Sequence, residues 1–204
     1  MNKDFLIKAQ NLSFERSGRI IFSSLSLNLK EGQIIIIKGK NGSGKTSLLR
    51  CLAGFTPITS GKILWFDNEI LPAFYSDKPL IAWLGHLDAI KGSLTVKENL
   101  LFFAKMWSVE PGVFNECIKK LSFEKFMNFP ASWLSAGEKR RLSLLRISFC
   151  PAKVWILDEP STFLDNDNRE ILIDIMNIHL KNKGAILCAT HDNLKVLNAL
   201  EITL

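Results

Sequence analysis

The chain has 204 residues, enough for one compact domain with an inserted subdomain, and its 47% hydrophobic content excludes global disorder. Its 26 basic and 20 acidic residues leave a net charge of +6, which suits phosphate-bearing ligands, nucleic acid or an anionic membrane surface and chooses none of them. Glycine and proline are scattered, so neither a linker nor a repeat array is indicated.

The amino terminus, MNKDFLIKAQ, has charges on both sides of a short apolar run and no cleavage-like pattern, so no signal peptide is expected. No stretch approaches the roughly 18 apolar residues of a membrane span, and the chain is expected to be soluble by itself. Short apolar runs follow at Gln33–Lys38 (QIIIIK), Lys62–Phe66 (KILWF), Ile81–Gly85 (IAWLG), Val154–Asp158 (VWILD) and Ala185–Thr190 (AILCAT). Runs apolar at nearly every position read as strands buried on both faces. Helical patterns occupy Lys45–Ala53, Val96–Met106, Gly137–Phe149 and Asn168–Lys181. This alternation predicts an α/β fold with a mostly parallel sheet. Residues 87–135 are helix-rich without a convincing strand, and read as a helical subdomain inserted into a core of about 1–86 and 136–204. The cysteines Cys51, Cys117, Cys150 and Cys188 are far apart and do not cluster with His86, His179 or His191. That argues against a zinc site or a disulfide framework and for a reducing compartment.

GKNGSGKT, Gly39 to Thr46, fits G-x-x-x-x-G-K-[ST] and stands between a buried strand and a helix. Such a loop turns its backbone N–H groups inward, and the following helix aims its positive end at a phosphate. The expected nucleotide-binding set is Gly39, Lys40, Asn41, Gly42, Ser43, Gly44, Lys45, Thr46 and Ser47. Lys45 is expected at the β- and γ-phosphates and the Thr46 hydroxyl on Mg²⁺. The bland alternative, a glycine-rich turn before a helix, is outweighed because strand, loop, Lys-Thr and helix occur in order. In VWILDEP, Asp158 ends a buried strand at the sheet's carboxyl edge, where it can hold Mg²⁺ through water. Glu159 follows and is the candidate general base for a water.

LSAGEKRRLS, Leu134 to Ser143, opens a basic helix with a good N-cap at Ser135, a glycine at Gly137 and an acid, Glu138, in the first turn. Alone it reads as an ordinary capped helix. Beside the phosphate loop and LDEP it resembles the signature of the ATP-binding cassette (ABC) ATPases, and the resemblance covers nearly the whole chain. It implies a P-loop NTPase fold with a mostly parallel core sheet, an N-terminal antiparallel β part and an inserted helical subdomain. It also implies that Leu134, Ser135, Ala136, Gly137 and Glu138 face an ATP held by a second ATPase subunit. Two ATPs would then be sandwiched in a head-to-tail dimer, most simply a homodimer. By the same resemblance STFLD, ending at Asp165, is the loop that crosses the dimer interface, and His191 in ATHD is the switch histidine sensing the γ-phosphate.

Three departures stand out. The glutamine usual after the IAWLG strand falls on His86; the aromatic residue that stacks on adenine falls on Arg16, with Phe14 nearby; and Ala136 and Glu138 replace Gly and Gln of the signature. A guanidinium plane can stack on a base, so Arg16 joins the nucleotide-binding set. With Lys45, Asp158, Glu159 and His191 in place, a working ATPase is expected.

The stretches NLSFERSGRIIFSSLSLNLKEGQ, LGHLDAIKGSLTVKENLLFF, LSAGEKRRLSLLRI and VWILDEPSTFLD resemble the ATPase subunit of the cytochrome c maturation, or haem, exporters. That family usually has Gln after Leu-Gly-His, where this chain has Leu87. The resemblance implies ATP and Mg²⁺ as cofactors, and a peripheral position on the cytoplasmic face of a bacterial inner membrane. It further implies an integral-membrane permease and other cytochrome c maturation proteins as partners, with no nucleic acid. No residue pattern here suggests a haem site. ENLLFFAKMW, Glu98 to Trp107, is expected mainly to fill the subdomain's own core, with Phe103 or Trp107 offered to a partner's coupling helix. The competing readings are the ATPase of another small exporter and a soluble ABC protein acting on DNA or ribosomes. The latter class typically adds coiled coils, zinc modules or a second cassette, for which 204 residues leave no room.

Overall fold

A computed structural model describes residues 5–69, 79–197 and 199–204. Two sheets organise it. Strands β1 (Ile7–Arg16), β2 (Arg19–Leu29) and β4 (Ser60–Trp65) form an antiparallel sheet in the order β2-β1-β4. Strands β5 (Ile81–Leu84), β6 (Val154–Asp158), β7 (Ala185–Ala189), β3 (Ile34–Lys38) and β8 (Ala199–Thr203) form a parallel sheet in that order. Ser17 and Gly18, both at positive φ, supply the two-residue turn that joins β1 to β2.

The parallel sheet is buried on both faces because its central strands are apolar at every position that matters. Ile34 and Ile36 of β3 enter one core, and Ile35 and Ile37 enter the other. The first core is closed by α2 (Val96–Met106), α3 (Pro111–Lys120), α4 (Ala136–Ser148) and α5 (Asn166–Lys181). The second lies between the parallel sheet, α1 (Lys45–Leu52) and the antiparallel sheet. Between 87 and 135 the structure holds α2, α3 and short 3₁₀ turns at Glu124–Phe126 and Ala131–Trp133; among the described residues, the only pairing of extended backbone there is the isolated bridge Thr95–Pro130.

Two expectations change, and one strand has no mark in the sequence. Lys62–Trp65 of the KILWF run lie in β4, in the antiparallel sheet, and are not buried on both faces: only Ile63 and Trp65 of β4 turn fully inward, at the period of two of a half-covered strand. Strand β8 gave no apolar run, since an edge strand with Glu201 and Thr203 lacks one. On α2 the aromatic face also turns differently. Phe103 and Trp107 pack inward, with ring centroids 5.2 Å apart and Trp107 6.0 Å from Phe149, while Phe102 and Met106 are exposed. The helical period explains this, because Phe103 and Trp107 are four apart and share the stripe with Leu100. No helix among the described residues is long and apolar enough to cross a membrane.

Candidate functional site

Parallel strands all end on the same edge, so this topology delivers four chain segments to one place. Strand β3 leads into the loop Gly39–Gly44 and α1, β6 ends at Asp158, β7 leads to His191, and β5 leads to His86. A cleft of about 510 Å³ opens there, lined by Arg16, Ile21, Asn41, Gly42, Gly44, Lys45, Thr46, Ser47, His86, Asp158, Glu159 and His191. Arg16 reaches it from the tip of the β1–β2 hairpin, whereas Phe14 packs on Phe22 with ring centroids 5.8 Å apart. Ile21 covers the loop so closely that a Cβ on Gly44 would lie 2.4 Å from its Cγ2, and Gly44 has φ of 102°. Only glycine meets both conditions.

The polar groups of the cleft are already organised. Lys45, 7% exposed, donates through Nζ to Gly39 O (2.9 Å) and Lys40 O (3.3 Å) and stands 3.8 Å from Glu159 Oε1. Thr46 Oγ1 donates to Asp158 Oδ2 at 2.8 Å, and His86 Nε2 lies 3.4 Å from the same oxygen. Asp158 is 1% exposed and its Oδ1 is buried without a hydrogen-bond partner, as is Ser43 Oγ in the loop. Such orphaned groups are costly unless something else meets them. His191 Nδ1 lies 3.0 Å from Glu159 Oε2, and its backbone N–H approaches that oxygen at 3.4 Å. Glu159 itself has φ of 49°, a conformation uncommon for a residue with a side chain.

The second expected phosphate-facing turn lies outside this cleft. Ser135 caps α4 in a reciprocal box: its Oγ accepts from Glu138 N (3.2 Å) and Glu138 Oε2 accepts from Ser135 N (2.8 Å). These hydrogen bonds hold the Glu138 carboxyl below the usual carboxylate range. Leu134 is buried and anchors the turn, while Ser135 and Ala136 are exposed. Gly137 has an internal reason to be glycine, since a Cβ there would sit 2.8 Å from Phe163 O. Asp165 caps α5 by accepting from Asn168 N at 2.9 Å, and Phe163 beside it is 72% exposed.

Two residues around the site were not singled out from the sequence. Arg140 is buried on α4, one turn beyond the Ser135 cap, with its guanidinium among backbone carbonyls. The carbonyls that bury it lie 18 to 55 positions away, so the local sequence does not mark it. Asp88, in the loop after β5, pairs with Arg140 at 3.3 Å; nothing in the sequence marks it.

The family model described as ABC transporter matches residues 22–162. The cytochrome c biogenesis ATP-binding export protein CcmA of Yersinia pseudotuberculosis is 36% identical over 190 residues, covering 93% of this chain and 87% of that protein. The protein of the same name from Paramagnetospirillum magneticum is 33% identical over 205 residues, covering 98% and 94%. Among solved structures, an ABC transporter ATP-binding protein from Pyrococcus furiosus superposes with a TM-score of 0.83 at 20% identity, covering 97% of this chain and 96% of that one. An ATP-binding cassette solved as a dimer after hydrolysis, with ADP and Pi, gives 0.76 at 21% identity, covering 91% and 88%. At these identities the structures speak to the fold.

Proposed function

Because the chain belongs to the ABC transporter family of ATP-binding proteins, we propose that it is the ATP-hydrolysing subunit of an export complex in cytochrome c biogenesis. In this reading it works as a head-to-tail dimer on an integral-membrane partner. The observation that carries the proposal is the convergence of Lys45, Thr46, Asp158, Glu159 and His191 in one cleft, while the Ser135 turn stays exposed on another surface.

The roles follow from the chemistry of each group. Backbone N–H groups of Gly39–Thr46 and the Lys45 ammonium meet the phosphates, and Arg16 and Ile21 flank the base. The residues present fit Mg²⁺: Thr46 Oγ1 and Asp158 Oδ2 are hard oxygen donors 2.8 Å apart, and Asp158 Oδ1 is buried and free to meet a water of its shell. Bound there, Mg²⁺ would neutralise charge on the β- and γ-phosphates. An imidazole is a poor ligand for this cation, so His86 serves better as a hydrogen-bonding neighbour of Asp158 than as a copy of the usual glutamine. Glu159 takes the proton of the attacking water. His191, 3.0 Å away, orients that carboxylate and stands ready for the γ-phosphate.

Ser135, Ala136 and Gly137 then bind the γ-phosphate of the other subunit's ATP, and the Asp165 loop lies across the interface. ATP closes the dimer and hydrolysis reopens it. The helical stretch 87–135 offers the membrane partner the exposed Phe102, Met106, Phe129 and Trp133. The motion serves haem delivery to c-type cytochromes from the cytoplasmic face of the inner membrane, as the kinship with CcmA suggests. The test is a tagged pull-down from detergent-solubilised native membranes with mass spectrometry. A small multispanning permease together with cytochrome c assembly proteins is expected. An unrelated permease would keep the ATPase and discard the pathway.

A further inference from the structure

Arg140 is 3% exposed and does not line the cleft. Its Nη2 donates to Asp158 O (2.9 Å) and Glu159 O (2.7 Å), its Nε to Pro160 O (3.2 Å), and its Nη1 to Gly85 O (2.8 Å) and Asp88 Oδ1 (3.3 Å). One planar group thus ties α4 to three stretches: the end of β6 with the turn after it, Gly85 just past β5, and Asp88 in the loop that follows. Other contacts from α4 secure that loop. Ser143 Oγ donates to Asp88 O at 2.9 Å, and Arg146 approaches Trp83 O and Asp88 O at 3.4 and 3.5 Å.

The turn at Glu159 needs such a clamp. A non-glycine residue at φ of 49° persists only where its surroundings hold it. On one side Glu159 N donates to Ala189 O at 2.8 Å. On the other, its carbonyl accepts from Arg140 and, at 3.2 Å, from Thr162 N. The carbonyl positions flank the Cα that aims the carboxylate, so Arg140 sets where Oε1 and Oε2 point. We propose that Arg140 is a positioning residue for hydrolysis, acting through the Glu159 turn and coupling the helix that opens at Ser135 to the group that activates water. This rests on the reading that Glu159 takes the proton of the attacking water. Helix α4 thereby has a second role. A shift of its exposed end on dimer closure, or of the loop after β5 under a partner, reaches the backbone on both sides of the catalytic carboxylate through the Arg140 side chain.

Lysine cannot reproduce the fork, since an ammonium is a compact point charge that cannot span acceptors on both sides of a planar group. Misplacing a reacting group by about 1 Å costs on the order of 100-fold. Arg140→Lys should therefore lower kcat by about 10- to 100-fold, with KM for ATP held within about twofold because the phosphate loop and Arg16 are untouched. The decisive readout is a double-mutant cycle on single-turnover hydrolysis by the full chain with Mg²⁺-ATP. If Arg140 acts through Glu159, adding Arg140→Lys to Glu159→Gln slows the residual reaction no further. A purely structural role would instead raise KM, and its cost would multiply with that of Glu159→Gln. Should Arg140→Lys fail to fold, Asp88→Asn, which removes the partner charge and keeps the fork, is put through the same cycle with about a 3- to 10-fold loss of kcat expected. A Glu159→Gln protein as active as the wild type overturns both the base assignment and this inference. A dead Glu159→Gln protein beside a fully active Arg140→Lys protein overturns this inference alone.

Discussion

The two helix ends that face phosphate in the proposed dimer, those of α1 and α4, are built in opposite ways. At α1 the N-cap is Gly44, with no side-chain hydrogen bond to the open N–H groups. Lys45 is buried beside it, and the loop wraps the space in front. At α4 the end is closed by a reciprocal Ser135–Glu138 box and stands exposed. A helix start leaves four N–H groups without partners. Where they are left free inside a cleft, the ligand is the cap. Where the chain supplies its own cap, the turn is rigid in advance and keeps only its outer N–H groups and the Ser135 hydroxyl proton for a visitor. In the proposed dimer the first end completes its site within the chain, whereas the second meets a ligand carried by the other subunit.

The largest effect expected from breaking this division is at the first end. Glu159→Gln should retain ATP binding and lower turnover by roughly 100- to 10,000-fold, the range of a lost general base, as read by phosphate release. At the second end, Ser135→Arg fills the outer surface of the turn. Cooperative turnover should disappear, with a fall of roughly 100-fold or more as for loss of an oriented phosphate donor, while ATP still binds the isolated subunit. Unchanged cooperativity in that variant would mean the turn does not see a partner's ATP. Gly137→Ala sharpens the comparison, because its Cβ would meet Phe163 O at 2.8 Å inside the chain. A loss of about 1–3 kcal/mol in denaturant unfolding is expected, as for overpacking, with ATP binding to the isolated subunit's own cleft unchanged.

The smallest effect lies away from both ends. His179 stacks on Trp155 at 3.9 Å, and burial pushes its pKa down from 6.5 to about 4. Below about pH 6.5 the unfolded chain binds a proton that the folded chain refuses. This contribution to stability is therefore full above that pH, is lost as pH falls towards 4, and changes no further below it. His179→Gln should flatten that part of the Tm-against-pH curve and leave ATP turnover at neutral pH unaltered. An equal slope in both proteins would assign the acid sensitivity to carboxylates.

How much of this was legible in the sequence depended on whether the signal was local. The phosphate loop, the LDEP strand end and the capped turn at Ser135 are short patterns whose meaning lies in neighbouring residues, and all fall where the sequence placed them. The shared edge followed from parallel strands alone. That β4 is covered on one face only was not legible, because a short apolar run does not reveal its partner, and β8 has no mark because an edge strand carries no apolar run. Arg140 was passed over as one more charge in a basic helix. Its burial depends on carbonyls from Gly85, Asp158, Glu159 and Pro160, residues 18 to 55 positions away, which no local pattern announces.

The central claim is that one chain's cleft and another chain's Ser135 turn share each ATP. Light scattering on the purified Glu159→Gln protein, with Mg²⁺-ATP and then with Mg²⁺-ADP, tests it most directly. A shared site predicts twice the monomer mass with ATP, reverting to the monomer with ADP, and no ATP-induced dimer when Ser135→Arg is added. A protein that binds ATP yet keeps the monomer mass at every nucleotide concentration would contradict it.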